Sequence, residues 1–164
     1  MALHPGSPVP VVDFVEIQRL VSRYSDAVVR RDGSTWADCW SDDASWDLGG
    51  GRSLDGKEMI VKVWYAAMGG MAAVVQQAHG GEVWLGESAD HAIGRWAITE
   101  RFRTTAGESA LLLASYDDEY RRIGGRWLFS RRFRDVHYRG AADLSADFAN
   151  TRSGLEAAGR TPDV

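Results

Sequence analysis

The stretch VDFVEIQRLVSRYSDAVVRRD, residues 12–32, decides the fold of this chain because its apolar side chains recur at intervals of three or four residues. This spacing predicts one amphipathic helix from residue 12 to residue 32. The apolar stripe consists of Phe14, Ile17, Leu20, Val21, Tyr24 and Val28. Its four-residue step places Asp32 next on the same stripe, so the sequence predicts a carboxylate that faces the core. A buried charge without a partner costs several kcal/mol, so Asp32 must either find a partner inside the fold or stay protonated.

The remaining elements place helices first and strands later. Two shorter helical patterns follow the first helix, at about 35–40 and 59–68, with a strand at about 44–48 between them. β-rich runs then cover about 72–79, 81–86, 91–104, 109–122 and 126–139, separated by turn residues. This order predicts an α+β fold in which N-terminal helices pack on a strongly curved, mostly antiparallel sheet. Such a half-open cone holds an apolar pocket between helix and sheet.

Length and composition favour a single domain and disfavour several partners. The chain has 164 residues, and we divide it into an arm at 1–11, a domain at 12–139 and a tail at 140–164. A formal net charge of -4 gives no basic footprint, so we expect neither nucleic acid nor a membrane as a partner. The single cysteine, Cys39, and the lack of a signal-peptide pattern favour the cytoplasm.

Six sequence segments form an ordered set along the chain. They are Tyr24-Ser25-Asp26, Arg31-Asp32, Trp40-Ser41-Asp42-Asp43-Ala44-Ser45-Trp46, His79, Tyr116-Asp117-Asp118-Glu119-Tyr120 and Gly125-Arg126-Trp127-Leu128-Phe129-Ser130-Arg131-Arg132. Together they resemble the SnoaL-like branch of the NTF2-like superfamily of cone-shaped α+β barrels, over roughly residues 12–139. The best motif agreement within it is with hexachlorocyclohexane dehydrochlorinase, and scytalone dehydratase is more distant. Two positions differ from the residues of these proteins. Ala27 stands where the dehydrochlorinase has a lysine, and Val29 stands where the dehydratases have an acid.

The resemblance implies a catalytic Asp–His pair, which falls on Asp32 and His79, and an arginine that falls on Arg132. His79 also closes an apolar β run that begins at Val74, which makes it our proposed partner for Asp32. In such a pair the carboxylate orients the imidazole, which then acts as a general base. The alternative is that Asp32 caps or ends a helix and that His79 is a satisfied core residue.

Further residues are candidates for the pocket. Arg132 and Arg134 alternate onto one face of the last strand, where a guanidinium would bind a leaving group or an oxyanion, with Asp118 or Glu100 as the counter-ion. The alternative is a solvated surface run of arginines. Glu100 alternates with Trp96 and Ile98, so it is either an interior acid or the end of the buried strand. The other predicted substrate-binding side chains are Tyr24, Trp46, Trp64, Ile98, Tyr116, Phe129 and Tyr138.

These observations predict a cofactor-independent lyase, of the dehydratase or HX-elimination type, or an isomerase. It would use the Asp–His pair on a small hydrophobic, cyclic substrate. The alternatives are a non-catalytic NTF2-like ligand-binding or accessory module and a polyketide-type cyclase. No metal site is predicted, because no His or Cys spacing supports one. The apolar residues expected on the outer sheet face predict a homodimer or homotrimer; they are Trp84, Leu111, Leu113 and Val136.

Overall fold

The computed structural model describes residues 6–148, which form three helices and six strands. The helices are α1 (Val11–Arg30), α2 (Gly33–Ala37) and α3 (Lys57–Gly69). The strands are β1 (Trp40–Asp47), β2 (Ser53–Asp55), β3 (Met71–Leu85), β4 (His91–Thr104), β5 (Ser109–Ile123) and β6 (Arg126–Gly140). None of these helices is both long and apolar enough to cross a lipid bilayer. The predicted order of helices first and strands later is confirmed.

The six strands form one open, mixed sheet in the order β2-β1-β6-β5-β4-β3. All neighbours pair antiparallel except β1 and β6, which pair in parallel.

 Register shifts interrupt three pairs of strands, β1 with β6, β3 with β4 and β5 with β6, whereas β4 and β5 pair without interruption. Bulges of this kind bend a sheet and increase its twist, so the long strands curve around the helices. The predicted α+β cone is confirmed.

Helix α1 packs its apolar face against the inner side of the sheet. Its predicted stripe is buried at Ile17, Leu20, Val21, Tyr24 and Val28. The helix stops two residues before the predicted end, because Arg31 adopts the left-handed conformation at φ 57°. The stripe therefore ends at Val28, and Asp32 lies outside the helix.

Asp13 ties α1 to the far end of the sheet. This carboxylate is buried and accepts hydrogen bonds from the Arg122 guanidinium and from Trp127 Nε1, at 3.3 Å for the latter. The Arg122 guanidinium also stacks 4.6 Å from the centre of the Trp127 ring. A buried carboxylate is stable only when paired, and this cluster provides the pairing for Asp13.

One glycine is required by close packing. Gly81 lies at the β-bulge of β3, opposite Trp96 of β4. A Cβ atom at this position would lie 2.4 Å from the Arg95 carbonyl oxygen and 2.5 Å from the Trp96 ring. Only glycine therefore allows the two strands to approach here.

The outer sheet face is less apolar than predicted. Val136 packs against the core instead of lying outside, because it pairs with the inward-facing Ala114. Leu111 is buried, and the exposed Arg95 forms a bidentate ion pair with Asp117 at 2.6 and 2.8 Å. The homodimer or homotrimer stays a prediction.

The ends of the described chain lie against the sheet. Within the predicted arm, the Ser7 carbonyl accepts a hydrogen bond from the Leu85 amide at 2.8 Å. Within the predicted tail, the Phe148 ring lies 4.7 Å from the ring of Tyr138. Residues 1–5 and 149–164 of the predicted arm and tail lie outside the described residues.

Candidate functional site

A cavity of about 200 Å³ lies between α1, α3 and the inner face of the sheet. Its apolar wall comes from α1, α3, β1, the residue after β1 and the first residue of β3. It comprises Val28, Trp46, Leu48, Val63, Trp64, Ala67, Met68 and Met71. Its polar lining consists of Tyr24, Arg52, Gln76, Glu100, Tyr116 and Arg134. An apolar cavity with a few convergent polar groups is typical of a small-molecule site.

Gln76 organises the polar side of the cavity. Its amide nitrogen, Nε2, donates hydrogen bonds to Glu100 Oε2 at 2.8 Å and to the Tyr116 hydroxyl at 3.3 Å. Its amide oxygen, Oε1, accepts a hydrogen bond from Ser25 Oγ at 3.2 Å. Because Gln76 is buried and bonded on both sides, it fixes Glu100 and Tyr116 relative to each other.

Glu100 is the only carboxylate among the cavity-lining residues of the described chain. Burial raises the pKa of its carboxyl group, while the hydrogen bond from Gln76 and the charges of Arg134 and Arg139 lower it by a smaller amount. A carboxyl group with a raised pKa is a better proton acceptor and donor near neutral pH than an ordinary glutamate. Glu100 is therefore suited to general acid–base chemistry.

Tyr24 and Tyr116 bring two phenol groups to the cavity. Burial raises the pKa of both hydroxyls, and the nearby charge of Arg132 opposes this effect at each. With a raised pKa, both groups stay protonated at neutral pH and remain hydrogen-bond donors. Two fixed O–H donors can stabilise an oxygen atom on which negative charge develops.

Beneath the two phenols lies a fully buried ion pair. Arg132 donates from Nε to Asp118 Oδ1 at 2.7 Å and from Nη2 to Asp118 Oδ2 at 2.8 Å. The guanidinium carbon lies 3.7 Å from the centre of the Tyr116 ring and 4.3 Å from that of Tyr24. Burial is the largest single effect and lowers the pKa of Arg132, but the charge and hydrogen bonds of Asp118, together with Tyr24 and Tyr116, outweigh it and the pKa is raised. The Arg132 guanidinium therefore packs against both phenol rings and holds them in place.

The same network continues away from the cavity. Tyr120 donates its hydroxyl proton to Asp118 Oδ2 at 2.8 Å, and Trp96 Nε1 donates to the Tyr120 oxygen at 2.8 Å. All three side chains are buried. Asp118 therefore has partners on both oxygens, which is the condition for keeping a charge inside a core.

The structure contradicts the predicted Asp32–His79 pair. Asp32 is exposed and caps α2: its Oδ1 accepts hydrogen bonds from the Thr35 amide at 3.0 Å and from Ser34 Oγ at 2.9 Å. The bonds from Thr35, followed by those from Ser34, lower its pKa to about 2. His79 is exposed on the outer sheet face, where Nε2 bonds to Thr99 Oγ1 at 2.8 Å. Neither residue lines the cavity.

The other predicted site residues divide into three groups. The cavity is lined by six of them: Tyr24, Trp46, Trp64, Glu100, Tyr116 and Arg134. Four are buried but do not line it: Ile98, Asp118, Phe129 and Arg132. The assignment of Tyr138 to the pocket is wrong, because it pairs with Leu113 and donates its hydroxyl proton to the Ala141 carbonyl at 2.6 Å, outside the core.

Two polar residues of the cavity were not predicted. Gln76 alternates with Val74 and Ala78, so the period of the strand already indicates an inward amide. Arg52 follows three glycines in the loop between β1 and β2, and no sequence pattern predicts where such a loop folds. In the described part of the chain, no three His, Cys, Asp or Glu side chains are grouped so as to hold a metal ion.

The raised pKa of Glu100 predicts a measurable dependence of stability on pH. Above the unfolded pKa of about 4.3, the folded state binds more protons than the unfolded state, so stability falls as pH rises towards the folded pKa. Glu100→Gln removes this loss. In urea unfolding between pH 4 and 8, the stability of the variant relative to the native protein should increase with pH and then level off. A constant difference would show that the pKa of Glu100 is not raised.

The SnoaL-like domain model matches residues 11–133, which is most of the chain. The chain belongs to the SnoaL-like family. This family assignment confirms the resemblance that the ordered sequence segments indicated. No curated protein sequence matches the chain.

Several solved structures share the fold of this chain. LinA is 25% identical with a TM-score of 0.73, and the match covers 85% of this chain and 95% of LinA. The dehydrochlorinase LinA-type3 of Novosphingobium barchaimii is 22% identical with a TM-score of 0.72, covering 85% and 96%. A protein of Novosphingobium aromaticivorans assigned as a scytalone dehydratase is 18% identical with a TM-score of 0.75, covering 85% and 93%.

Proposed function

We propose that this SnoaL-like protein is a lyase or isomerase whose general acid–base residue is Glu100. The observation that carries the proposal is the position of Glu100, a largely buried carboxyl group that faces an apolar cavity together with two phenols. Glu100 replaces the Asp32–His79 pair as the proton-transfer group. The names of two similar structures, a hexachlorocyclohexane dehydrochlorinase and a scytalone dehydratase, support a reaction of the elimination type.

In an elimination, the Glu100 carboxylate takes a proton from a carbon atom of the substrate. The electron pair of that C–H bond forms the new double bond, and the leaving group departs from the neighbouring carbon with the electron pair of its own bond. For a hydroxyl leaving group, protonated Glu100 returns the proton and the product is water. In an isomerisation, Glu100 returns the proton to a different carbon atom. A halide departs as the anion, and Glu100 then releases its proton to solvent. In each case the Glu100 carboxylate is regenerated.

Tyr24 and Tyr116 stabilise the charge that develops during proton removal. When the proton lies next to a carbonyl group, negative charge develops on the carbonyl oxygen, and the two O–H groups donate hydrogen bonds to it. A positioned general base contributes roughly 10² to 10⁴ in rate, and loss of one oxyanion donor costs roughly 10² to 10³. Side chains that line this cavity can therefore supply the catalysis.

The cavity also limits the size of the substrate. At about 200 Å³ it is smaller than the roughly 300–1,000 Å³ of most ligand pockets, so it fits a compact molecule. Trp46 and Trp64 give one side of it flat aromatic surfaces. We therefore propose a small hydrophobic, cyclic substrate.

Two adjacent alanines of α3 test whether the reaction takes place in this cavity. Ala66 and Ala67 are both exposed, but only Ala67 lines the cavity. Ala67→Trp should fill the cavity and abolish turnover, whereas Ala66→Trp should place its ring in solvent and leave turnover unchanged. The assay is mass spectrometry of products from compact cyclic alcohols, halides and enones, with and without a carboxylate group. Turnover by Ala67→Trp, or conversion of no compound by the native protein, would contradict the proposal.

A further inference from the structure

One side of the cavity carries more positive than negative charge. Arg52 and Arg134 both line it, and Glu100 is the one carboxylate that does so among residues 6–148. Leu48 links the two arginines: its carbonyl oxygen accepts a hydrogen bond from Arg134 Nη2 at 3.3 Å, and its amide donates to the Arg52 carbonyl at 2.8 Å. The loop between β1 and β2 thus places Arg52 beside Arg134.

Neither arginine forms an ion pair with a carboxylate of the described chain. The Nε atom of Arg134 is buried and has no hydrogen-bond partner there. Other arginines of the same sheet are paired, such as Arg95 with Asp117 and Arg132 with Asp118. A buried donor without a partner is uncommon in a native protein and calls for an explanation. Six other side-chain atoms of the described residues share this condition, among them Arg132 Nη1, but Arg134 is the only arginine of this group that lines the cavity. A ligand in the cavity can supply the partner that Arg134 lacks.

We propose that the substrate carries a carboxylate group, which Arg134 and Arg52 bind while the rest of the molecule occupies the apolar cavity. This inference rests on the proposed function only in taking the cavity as the substrate site. Arginine binds a carboxylate through two parallel hydrogen bonds, and charged pairs of this kind are stronger than neutral ones. Arg134 has a free Nε–H donor for such a bond, and the exposed Arg52 adds a second positive charge.

The proposal predicts a preference for an acid over its amide that depends on these two arginines. The probes are benzoate, trans-cinnamate and cyclohexanecarboxylate, each compared with its amide by calorimetric titration at pH 7. The native protein should bind at least one acid about ten-fold or more tightly than its amide. Arg134→Gln should remove the preference, and Arg52→Gln should reduce it several-fold. Arg103→Gln is the control, because Arg103 is exposed and does not line the cavity.

A second variant guards against a simple folding defect. Arg134→Lys keeps the positive charge but loses the paired donors, so it should keep part of the preference. Circular dichroism checks the fold of each variant. The proposal is wrong if no acid binds more tightly than its amide, if folded Arg134→Gln keeps the full preference, or if phenyl phosphate binds more tightly than all three acids. Binding needs no turnover. If an acid binds with this preference but the native protein converts no compound of the turnover assay, the proposed function is contradicted and this inference stands.

Discussion

Glu100→Gln should reduce turnover by about 10² to 10⁴, the usual contribution of a positioned general base, while the protein stays folded. Glutamine has nearly the same shape, and its amide oxygen can still accept the hydrogen bond that Gln76 Nε2 donates at 2.8 Å. It has no basic carboxylate at neutral pH and therefore takes no proton from the substrate. The measurement is kcat/KM on the converted compound, together with the unfolding midpoint of the variant.

Glu108→Gln is the matched control for this loss. Glu108 is exposed just before β5 and does not line the cavity, so its replacement should leave kcat/KM unchanged. A folded Glu100→Gln protein with more than about a tenth of native turnover would show that another group moves the proton. A loss of turnover accompanied by unfolding would point to a structural role. We expect the opposite, because removing a buried charge should preserve or raise stability.

Arg132→Met should have the largest effect on stability. It leaves Asp118 buried without the two guanidinium donors, and breaking a buried ion pair in this way costs about 3 to 5 kcal/mol. For a domain of this size, the unfolding midpoint should fall by roughly 6 to 20 °C. Calorimetry or thermal circular dichroism measures this shift.

The same sheet provides the control pair. Arg95 and Asp117 form a bidentate bridge of similar geometry, but the Arg95 side chain is 54% exposed. Arg95→Met should therefore cost about 1 kcal/mol or less. The double variant Arg132→Met with Asp118→Leu should be more stable than the sum of its single changes, because it leaves no buried charge behind. If Arg132→Met and Arg95→Met lowered the free energy of unfolding equally, burial would not explain the stabilisation by the Arg132–Asp118 pair.

The sequence predicted the fold because local periodicity and core packing agree over long segments. The three- and four-residue spacing of α1 continues through Val28, and those positions are buried. The two-residue spacing of β4 placed Glu100 on the same side as Trp96 and Ile98, with an interior acid as one of two alternatives, and in the structure Glu100 lines the cavity. In both cases a single regular element fixes the direction of every side chain.

The predictions failed where a regular element ends or shifts. Asp32 follows the left-handed Arg31, so the helical step no longer determines its direction. His79 lies one residue from Ala78, on the opposite face from Val74 and Gln76, which the alternation of the strand already indicates. Tyr138 follows a register shift opposite Leu113 and Ala114, and a shift of one residue turns a side chain to the other face.

The most direct test of the account compares Glu100→Gln, His79→Ala and Asp32→Asn in one turnover assay. Glu100 faces the cavity, whereas His79 lies on the outer sheet face and Asp32 caps α2. The account predicts that only Glu100→Gln loses turnover and that the other two variants keep kcat/KM close to the native value. Loss of turnover in His79→Ala and Asp32→Asn, with turnover retained in Glu100→Gln, would contradict it.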